Sequence, residues 1–201
     1  MHETNSIISK VSIGLRRALL EINTEAEGIY IYIYKIRNKE YESYLSCKSG
    51  DDDYTIENRI QNLGGLKNLK SLSIQSNRLT KIEGLEELEN LEEIYMSHNA
   101  IEKIEGFEHN LKLNTIDIAN NLVSRIENLS HLPKLEEFWA NNNQFDNDCY
   151  DQLEKELGTI STLETVYLEG NPMQLKNRAT YRNKIKLALP NIKQIDATPV
   201  K

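Results

Sequence analysis

The sequence predicts an α/β solenoid of leucine-rich repeats, because one apolar pattern returns along the chain at a fixed interval. The pattern is leucine-x-x-leucine-x-leucine-x-x-asparagine-x-leucine, and its first complete copy begins at Leu69. The asparagines of successive copies are Asn77, Asn99, Asn121, Asn143 and Asn171. They are separated by 22, 22, 22 and 28 residues. Chance does not keep so many apolar positions and an asparagine in phase over that length.

Each half of the repeat predicts its own local structure. The leucine-x-leucine centre alternates inward and outward, as a strand does. The asparagine amide can satisfy backbone groups of neighbouring turns that would otherwise be buried unpaired. The second half spaces its apolar residues by three, as at Ile82, Leu85 and Leu88, which is typical of a 3₁₀-like turn. Stacked repeats then give a continuous core, a concave parallel sheet and convex 3₁₀-like turns.

The composition describes an acidic chain of 201 residues with a net charge of -7, which predicts one domain. The acidic balance argues against a nucleic-acid partner and against an anionic membrane partner. Two cysteines without framework spacing, Cys47 and Cys149, favour a reducing compartment. We find neither an apolar run of membrane-spanning length nor a secretory signal pattern, so the expectation is an intracellular protein.

Residues 1–55 do not follow the repeat and are expected to be an atypical N-terminal segment. Apolar residues at helical spacing predict a surface helix or a poorly ordered terminus over residues 1–28. The alternating isoleucines and tyrosines from Ile29 to Ile36 predict a strand. A second hypothesis is that this segment is translated non-coding DNA or follows a misplaced start, because a repeated TA dinucleotide read as ATA-TAT codons encodes isoleucine and tyrosine. Sequencing the transcript tests that hypothesis.

The repeats are predicted over residues 56–176, as one half repeat followed by five full ones. The half repeat consists of Ile60, Leu63 and Leu66, and no N-terminal cap is recognisable before it. Six extra residues in the fourth repeat predict a short helix from Asp148 to Leu157, with Asp148 as its N-cap. Residues 177–201 are predicted to form the C-terminal cap, with a helix from Arg178 to Leu189 and a last short strand.

The concave face is the surface on which the sequence predicts binding. Its lining is expected from the third, fifth and seventh places of each repeat: Ser71, Ser73, Gln75, Glu93, Tyr95, Ser97, Thr115, Asp117, Ala119, Glu137, Trp139, Asn141, Thr165, Tyr167 and Glu169. No lysine or arginine occurs among them, whereas a nucleic-acid surface needs cations. Exposed tryptophan and tyrosine at the centre of a patch are typical anchors of protein interfaces. The alternative is that these aromatic residues only pack against one another along the sheet.

Catalysis and metal binding are not predicted. His98, His109 and His131 fall in turns or convex segments of different repeats, without a nucleophile or carboxylate at a recognisable spacing. There is no metal-ligand cluster and no glycine loop of the kind that holds phosphates. We therefore expect surface histidines, no cofactor and no enzymatic activity.

Several non-template residues carry a resemblance to a known family. They lie in Leu72-Ser-Ile-Gln-Ser-Asn-Arg-Leu-Thr-Lys-Ile-Glu-Gly-Leu85, in Leu135-Glu-Glu-Phe-Trp139, in Leu163-Glu-Thr-Val-Tyr-Leu-Glu-Gly-Asn-Pro172 and in Ala188-Leu-Pro-Asn-Ile-Lys-Gln-Ile-Asp-Ala-Thr198. Over about residues 56–201 the chain closely resembles the protein phosphatase 1 regulatory subunit 7 family. It carries fewer repeats than members of that family, whose earlier repeats also supply contacts.

The resemblance implies a non-catalytic partner of the protein phosphatase 1 catalytic subunit, found in nucleus and cytoplasm and active in mitosis, with a third, inhibitor subunit in the same complex. It implies contacts through Asp117, Glu137, Trp139 and Tyr167. With Tyr95 and Glu169 from the same concave face, these are the candidate partner-binding residues. The alternative is a repeat scaffold of another intracellular assembly, of the spliceosomal or axonemal type.

Overall fold

The computed structural model describes residues 18–25, 28–35, 60, 63 and 66–200, and the strands in these ranges form a single sheet in chain order. The strands are β1 (Ala18–Glu25), β2 (Gly28–Lys35), β3 (Leu69–Ser73), β4 (Glu93–Tyr95), β5 (Thr115–Asp117), β6 (Glu137–Trp139), β7 (Thr165–Tyr167), β8 (Gln194–Ile195) and β9 (Thr198–Pro199). The helices are α1 (Cys149–Glu156), α2 (Pro172–Leu175) and α3 (Arg178–Ala188). Neighbours from β2 to β8 are parallel, while β1 and β9 pair antiparallel at the two edges. The predicted parallel sheet of a leucine-rich-repeat solenoid is confirmed.

The convex side is built from short turns at the predicted spacing of three. The backbone N–H of Leu88 donates to the carbonyl of Leu85, and the N–H of Leu91 donates to that of Leu88, each at 3.0 Å. The next repeats have the same pair of bonds at Asn110 and Leu113 and at Leu132 and Leu135. Bonds from residue i+3 to residue i are those of a 3₁₀ turn. They satisfy the chain locally while the apolar side chains point into the core.

The repeat asparagines form a ladder inside the solenoid, as the sequence predicted. Asn121 is 5% exposed, and its Oδ1 accepts from the N–H of Ile101 at 2.9 Å. Its Nδ2 donates to the carbonyl of Met96 in the preceding repeat and to the carbonyl of Ile118 in its own repeat. Asn99, Asn143 and Asn171 repeat this arrangement. The ladder therefore pairs backbone groups that stacking removes from water.

The residue before each ladder asparagine has left-handed backbone dihedrals, with φ between 53° and 76° at Ser76, His98, Asn120, Asn142 and Gly170. This conformation turns the chain from the sheet to the convex side. Glycine adopts it without strain, and asparagine tolerates it better than most residues. At Gly170 an added Cβ would lie 1.9 Å from Oδ1 of Asn142, so a side chain there would displace the Asn142 side chain.

The predicted insertion helix is present as α1. Leu153 and Leu157 are buried, and Asp148 is the N-cap residue, although its side chain makes no capping hydrogen bond. Glu156 in α1 accepts hydrogen bonds from the N–H groups of Leu129 and Ser130. Gln152 accepts one from the N–H of Ile126 at 2.7 Å. The inserted helix thus satisfies convex backbone groups of the repeat before it.

The C-terminal cap is built around Asp196, which ends the asparagine ladder. Its Oδ1 accepts from the N–H groups of Leu168 and Glu169, at 2.8 and 3.0 Å. The hydroxyl of Tyr181 in α3 donates to the same carboxylate, with Oδ2 at 3.0 Å. Arg182 donates to the carbonyls of Ile195, Thr198 and Pro199, and so fastens β8 and β9 onto α3. The predicted helical cap and last short strand are therefore present, with α3 ending at Ala188.

The N-terminal expectations need correction. The helix predicted over residues 1–28 is wrong at Ala18–Glu25, which is the strand β1; residues 1–17, 26 and 27 lie outside the described residues. The isoleucine–tyrosine stretch is a strand, as predicted, since it forms β2. β2 pairs with the free edge of β3, and β1 pairs with β2. Backbone pairing at a sheet edge therefore determines the local structure here, although the apolar spacing alone predicts a helix. No N-terminal cap was recognisable in the sequence, whereas in the structure β1 and β2 continue the sheet beyond β3.

The three apolar residues of the predicted half repeat before β3, Ile60, Leu63 and Leu66, are buried, at most 7% exposed. Residues 36–59, with Cys47 among them, lie outside the described part of the chain. The hypothesis that the N-terminal segment is translated non-coding DNA stays a prediction. In the described part, no helix is long and apolar enough to cross a membrane.

Candidate partner-binding site on the concave face

The parallel register aligns the predicted lining residues into columns that cross the sheet. The first column contains Ser71, Glu93, Thr115, Glu137, Thr165 and Gln194. The second column contains Ser73, Tyr95, Asp117, Trp139 and Tyr167. Because each repeat adds one strand in the same register, a residue at a fixed place of the repeat always faces the same side. The third and fifth places of the predicted lining are therefore aligned across the sheet, but Ser71, Ser73, Ser97 and Ala119 of the predicted lining are buried.

The aromatic residues of the second column form an aromatic row, which is Tyr95, Trp139 and Tyr167. The ring centroids of Tyr95 and Trp139 are 6.3 Å apart at an interplanar angle of 67°. Those of Trp139 and Tyr167 are 5.6 Å apart at 64°. Both are edge-to-face contacts, the arrangement that aromatic pairs prefer. All three side chains remain partly exposed, so they pack against one another and still face solvent.

Hydrogen bonds to the first column hold the polar ends of the aromatic row. Nε1 of Trp139 donates to Oε2 of Glu137 at 2.9 Å, and the Tyr95 hydroxyl donates to Oε2 of Glu93 at 3.3 Å. Nε2 of Gln194 donates to the Tyr167 hydroxyl at 2.8 Å. Burial and the neighbouring carboxylate of Glu93 raise the pKa of Tyr95, so its hydroxyl stays protonated. The row is thus held in place before any partner arrives.

Asp117 lies beneath the aromatic row and is only 4% exposed. Its strand, β5, runs between the strands of Tyr95 and Trp139, whose rings meet across it. Its Oδ1 accepts from the N–H of Ala119 at 2.9 Å, and its Oδ2 accepts from Nε2 of Gln75 at 3.2 Å. Burial raises the pKa of Asp117, while hydrogen bonds from Ala119, Ser97 and Gln75 oppose the rise.

The burial of Asp117 changes the role that the sequence and the resemblance suggested for it. A carboxylate that is covered by two rings and bonded within its own protein does not present itself to a partner's cation. In this conformation Asp117 supports the surface instead of forming part of it. The remaining candidates are accessible: Glu137 is partly exposed and Glu169 is exposed.

The concave columns carry one sign of charge. Glu93 and Glu137 lie in the first column and Asp117 in the second, and the described columns contain no lysine or arginine. Gln194 of β8 also belongs to this surface, although we did not include it in the predicted lining. Gln194 could have been included because it comes one repeat after Thr165. The six extra residues of the fourth repeat and the helices that precede Gln194 obscure the repeat period at this point.

The histidines are surface residues, as predicted. His98, His109 and His131 are exposed. His98 has a left-handed backbone, and its Nε2 is 3.5 Å from Nδ2 of Asn120. His131 contacts the carbonyl of Phe107 through Nε2 at 3.2 Å. Within the described ranges, no group of histidine, cysteine, aspartate or glutamate side chains is arranged to hold a metal ion.

The thiol of Cys149 is buried in α1, and burial raises its pKa to about 11. Its Sγ contacts the carbonyl of Ser124 at 3.4 Å. A buried thiol with a raised pKa is a weak nucleophile. It packs as a core residue beneath the convex surface.

Comparison with known proteins defines the class. The family model "Leucine Rich repeats (2 copies)" matches residues 67–109. The fold is also that of a chain in the crystal structure of the Drosophila melanogaster SNF/U2A′ complex, with a TM-score of 0.58 at 24% identity, over 65% of this chain and 74% of that one. At that identity the likeness concerns the fold alone. The protein is a leucine-rich-repeat solenoid.

Two curated relatives make the comparison more particular. The chain is 52% identical over 62 residues to protein phosphatase 1 regulatory subunit SDS22 of Schizosaccharomyces pombe. It is 56% identical over 54 residues to protein phosphatase 1 regulatory subunit 7 of Bos taurus. The matches cover 31% and 27% of this chain, and 18% and 14% of those proteins. The resemblance seen in the sequence is confirmed over this part of the chain.

Proposed function

We propose that this chain is a non-catalytic regulatory subunit that binds the catalytic subunit of protein phosphatase 1 through its concave face. The observation that carries the proposal is the aromatic row between carboxylates, on a face whose described columns lack cations. Partly exposed aromatic residues at the centre of a patch are the usual anchors of protein interfaces. The names of the similar proteins supply the identity of the partner.

The proposed mechanism combines burial of the aromatic row with charge pairing. Trp139 and Tyr167 bury against an apolar area of the phosphatase, at little entropic cost because their contacts already hold them. Glu137 and Glu169 pair with basic residues of the partner, which speeds association and fixes its orientation. Tyr95 borders the same area, and Asp117 lies between Tyr95 and Trp139 in the register of the sheet.

The regulator contributes surface and no chemistry of its own. Its histidines lie apart on exposed turns, and its described cysteine is buried. Any change of phosphatase activity on binding therefore comes from what the concave face covers or holds on the enzyme. A purified sample should hydrolyse no phosphate ester by itself, and intrinsic hydrolysis would contradict this part of the proposal.

A titration against the protein phosphatase 1 catalytic subunit tests the proposal directly. The unmodified chain is compared with Trp139→Ala and with Leu122→Ala, a control on an exposed leucine outside the concave columns. Circular dichroism of each variant establishes that it is folded. Binding that is weakened in Trp139→Ala and unchanged in Leu122→Ala supports the proposed interface. A folded chain that does not bind would favour the alternative, a scaffold of another assembly, which affinity purification followed by mass spectrometry would identify.

The same resemblance leads us to propose a nuclear and cytoplasmic location, a role in mitosis and a complex that includes a third, inhibitor subunit. Imaging of a tagged chain tests the location. Purification through the phosphatase, with and without this chain, tests whether an inhibitor subunit joins the same complex.

A further inference from the structure

The polar ends of the aromatic row do not all form hydrogen bonds in the same direction. Nε1 of Trp139 donates to Glu137, and the Tyr95 hydroxyl donates to Glu93. Each acceptor lies two residues before its aromatic residue on the same strand. An ionised carboxylate accepts hydrogen bonds and donates none, so these contacts engage the hydrogens of both aromatic groups.

Tyr167 is held from the next strand instead. The residue at the corresponding place of β7 is Thr165, but among the described residues the hydrogen-bond partner of the Tyr167 hydroxyl is Gln194 of β8, at 2.8 Å. The same Nε2 of Gln194 is 2.9 Å from the carbonyl oxygen of Asp196. A carbonyl oxygen only accepts, so the atom beside it is the amide nitrogen, and this contact fixes the orientation of the Gln194 side chain.

The orientation of Gln194 determines the role of the Tyr167 hydroxyl. The amide nitrogen carries two hydrogens, of which one is donated to the carbonyl of Asp196 and the other to the oxygen of Tyr167. The Tyr167 hydroxyl is therefore the acceptor in this contact, and its own hydrogen has no partner among the described residues. Because the Tyr167 side chain is partly exposed, that hydrogen is available to a group outside the chain.

We propose that Gln194 is a positioning residue that makes the Tyr167 hydroxyl the hydrogen-bond donor of the aromatic row, and that this donor binds a main-chain carbonyl of the phosphatase. The inference rests on the proposed function and names the group that this part of the concave face recognises. A hydroxyl that a partner covers needs an acceptor, because an unpaired buried donor is costly. The carboxylates of Glu137 and Glu169 on the same face disfavour an anionic acceptor, so an uncharged oxygen fits this position.

A double-mutant cycle, titrated against the phosphatase catalytic subunit, tests the proposal with the full chain. Tyr167→Phe retains the ring beside Trp139 but removes the donor, whereas Gln194→Ala retains the hydroxyl but releases it. Each should weaken binding about fivefold. Because both remove the same interaction, the double variant should bind no more weakly than Tyr167→Phe alone. Losses that multiply in the double variant, or full affinity in either single variant, would overturn the proposal.

Reversing the direction of the bond separates positioning from support of the fold. Gln194→Glu retains the length of the side chain, but its carboxylate accepts the hydrogen of Tyr167. At high salt, which screens the added charge, it should bind as weakly as Tyr167→Phe. Tyr181→Phe loosens the same cap through Asp196 without touching Tyr167, so the folded variant should retain most of the affinity. Full affinity in Gln194→Glu, or an equal loss in Tyr181→Phe, would overturn the proposal.

Two further comparisons identify the acceptor and separate this inference from the proposed function. The affinity ratio between the unmodified chain and Tyr167→Phe should not depend on salt, whereas a ratio that falls as salt is raised would mean an anionic acceptor and overturn the assignment to a carbonyl. A chain that loses affinity in Trp139→Ala but not in Tyr167→Phe would overturn this inference and leave the proposed function standing. A folded chain that does not bind the phosphatase would overturn both.

Discussion

Tyr95 and Trp139 lie in strands that are not neighbours, yet their rings meet edge to face, 6.3 Å apart between centroids. The strand between them carries Asp117 at the same register position. The pair therefore closes over a short acidic residue, and the carboxylate is left with only intramolecular partners. The parallel sheet thereby carries a ridge of aromatic rings, which explains why the aromatic residues are partly exposed and the acid between them is not.

Trp139→Ala is the most direct test of this ridge. We expect a loss of about 2 kcal/mol in binding free energy for the phosphatase catalytic subunit, because buried tryptophans at interface centres commonly contribute this much. Isothermal titration calorimetry measures the change. Trp139→Phe retains a ring for Tyr95 and Tyr167 but removes the Nε1 bond to Glu137, so it should retain part of the affinity. A full affinity in both variants would exclude Trp139 from the interface.

Much of this surface could be predicted from the sequence, because the period of the repeat fixes which residues share a face. The positions of Tyr95, Trp139 and Tyr167 on the concave face follow from their place within the repeat. The burial of Asp117 does not, because it depends on two rings from different repeats leaning toward each other. The strand β1 was mispredicted as helix since its apolar residues also fit a helical face, and only the free edge of the sheet distinguishes the two structures.

The pH dependence of stability should reveal the state of Asp117. Its pKa is raised in the folded protein, so the folded state binds the proton more readily than the unfolded chain, where an aspartate titrates near about 3.9. Its contribution to stability is therefore fully present below the unfolded pKa and is lost as the pH rises through the folded value. Asp117→Asn cannot titrate and should lack this component.

Urea unfolding of both proteins across a pH series measures the effect. The difference in unfolding free energy, unmodified chain minus Asp117→Asn, should become more positive as the pH falls through the folded pKa. A difference that is independent of pH, or that moves the other way, would mean that Asp117 is not held in a buried environment.

The asparagine ladder should carry a large share of the stability of each repeat. Asn121→Ala removes the acceptor of the Ile101 N–H and the donor to the carbonyls of Met96 and Ile118. Since these groups are buried, we expect a loss of about 3 kcal/mol in the free energy of unfolding. Asn183→Ala, at an exposed place on α3, is the control and should change it by less than about 0.5 kcal/mol. Similar effects in the two variants would show that the ladder bonds are replaced by solvent.

The contact between Tyr181 and Asp196 should decide how firmly the C-terminal cap is attached. The Tyr181 hydroxyl donates to both carboxylate oxygens, at 3.2 and 3.0 Å, and burial and the nearby carboxylate raise its pKa. Tyr181→Phe removes one donor to a charged acceptor that retains the two backbone N–H groups of Leu168 and Glu169. The expected cost is about 1.5 to 3 kcal/mol, the usual range for a hydrogen bond to a charged group.

Asp196→Ala should cost more than Tyr181→Phe. It leaves the two backbone N–H groups without an acceptor and places alanine at a φ of 52°, which alanine adopts with strain. Thermal unfolding ranks the variants, and amide hydrogen exchange locates the change. Because Arg182 fastens β8 and β9 to α3, exchange should accelerate first in these elements and only later in β3 to β6. Acceleration that is uniform along the whole sheet would instead mean that the cap and the repeats unfold as one unit.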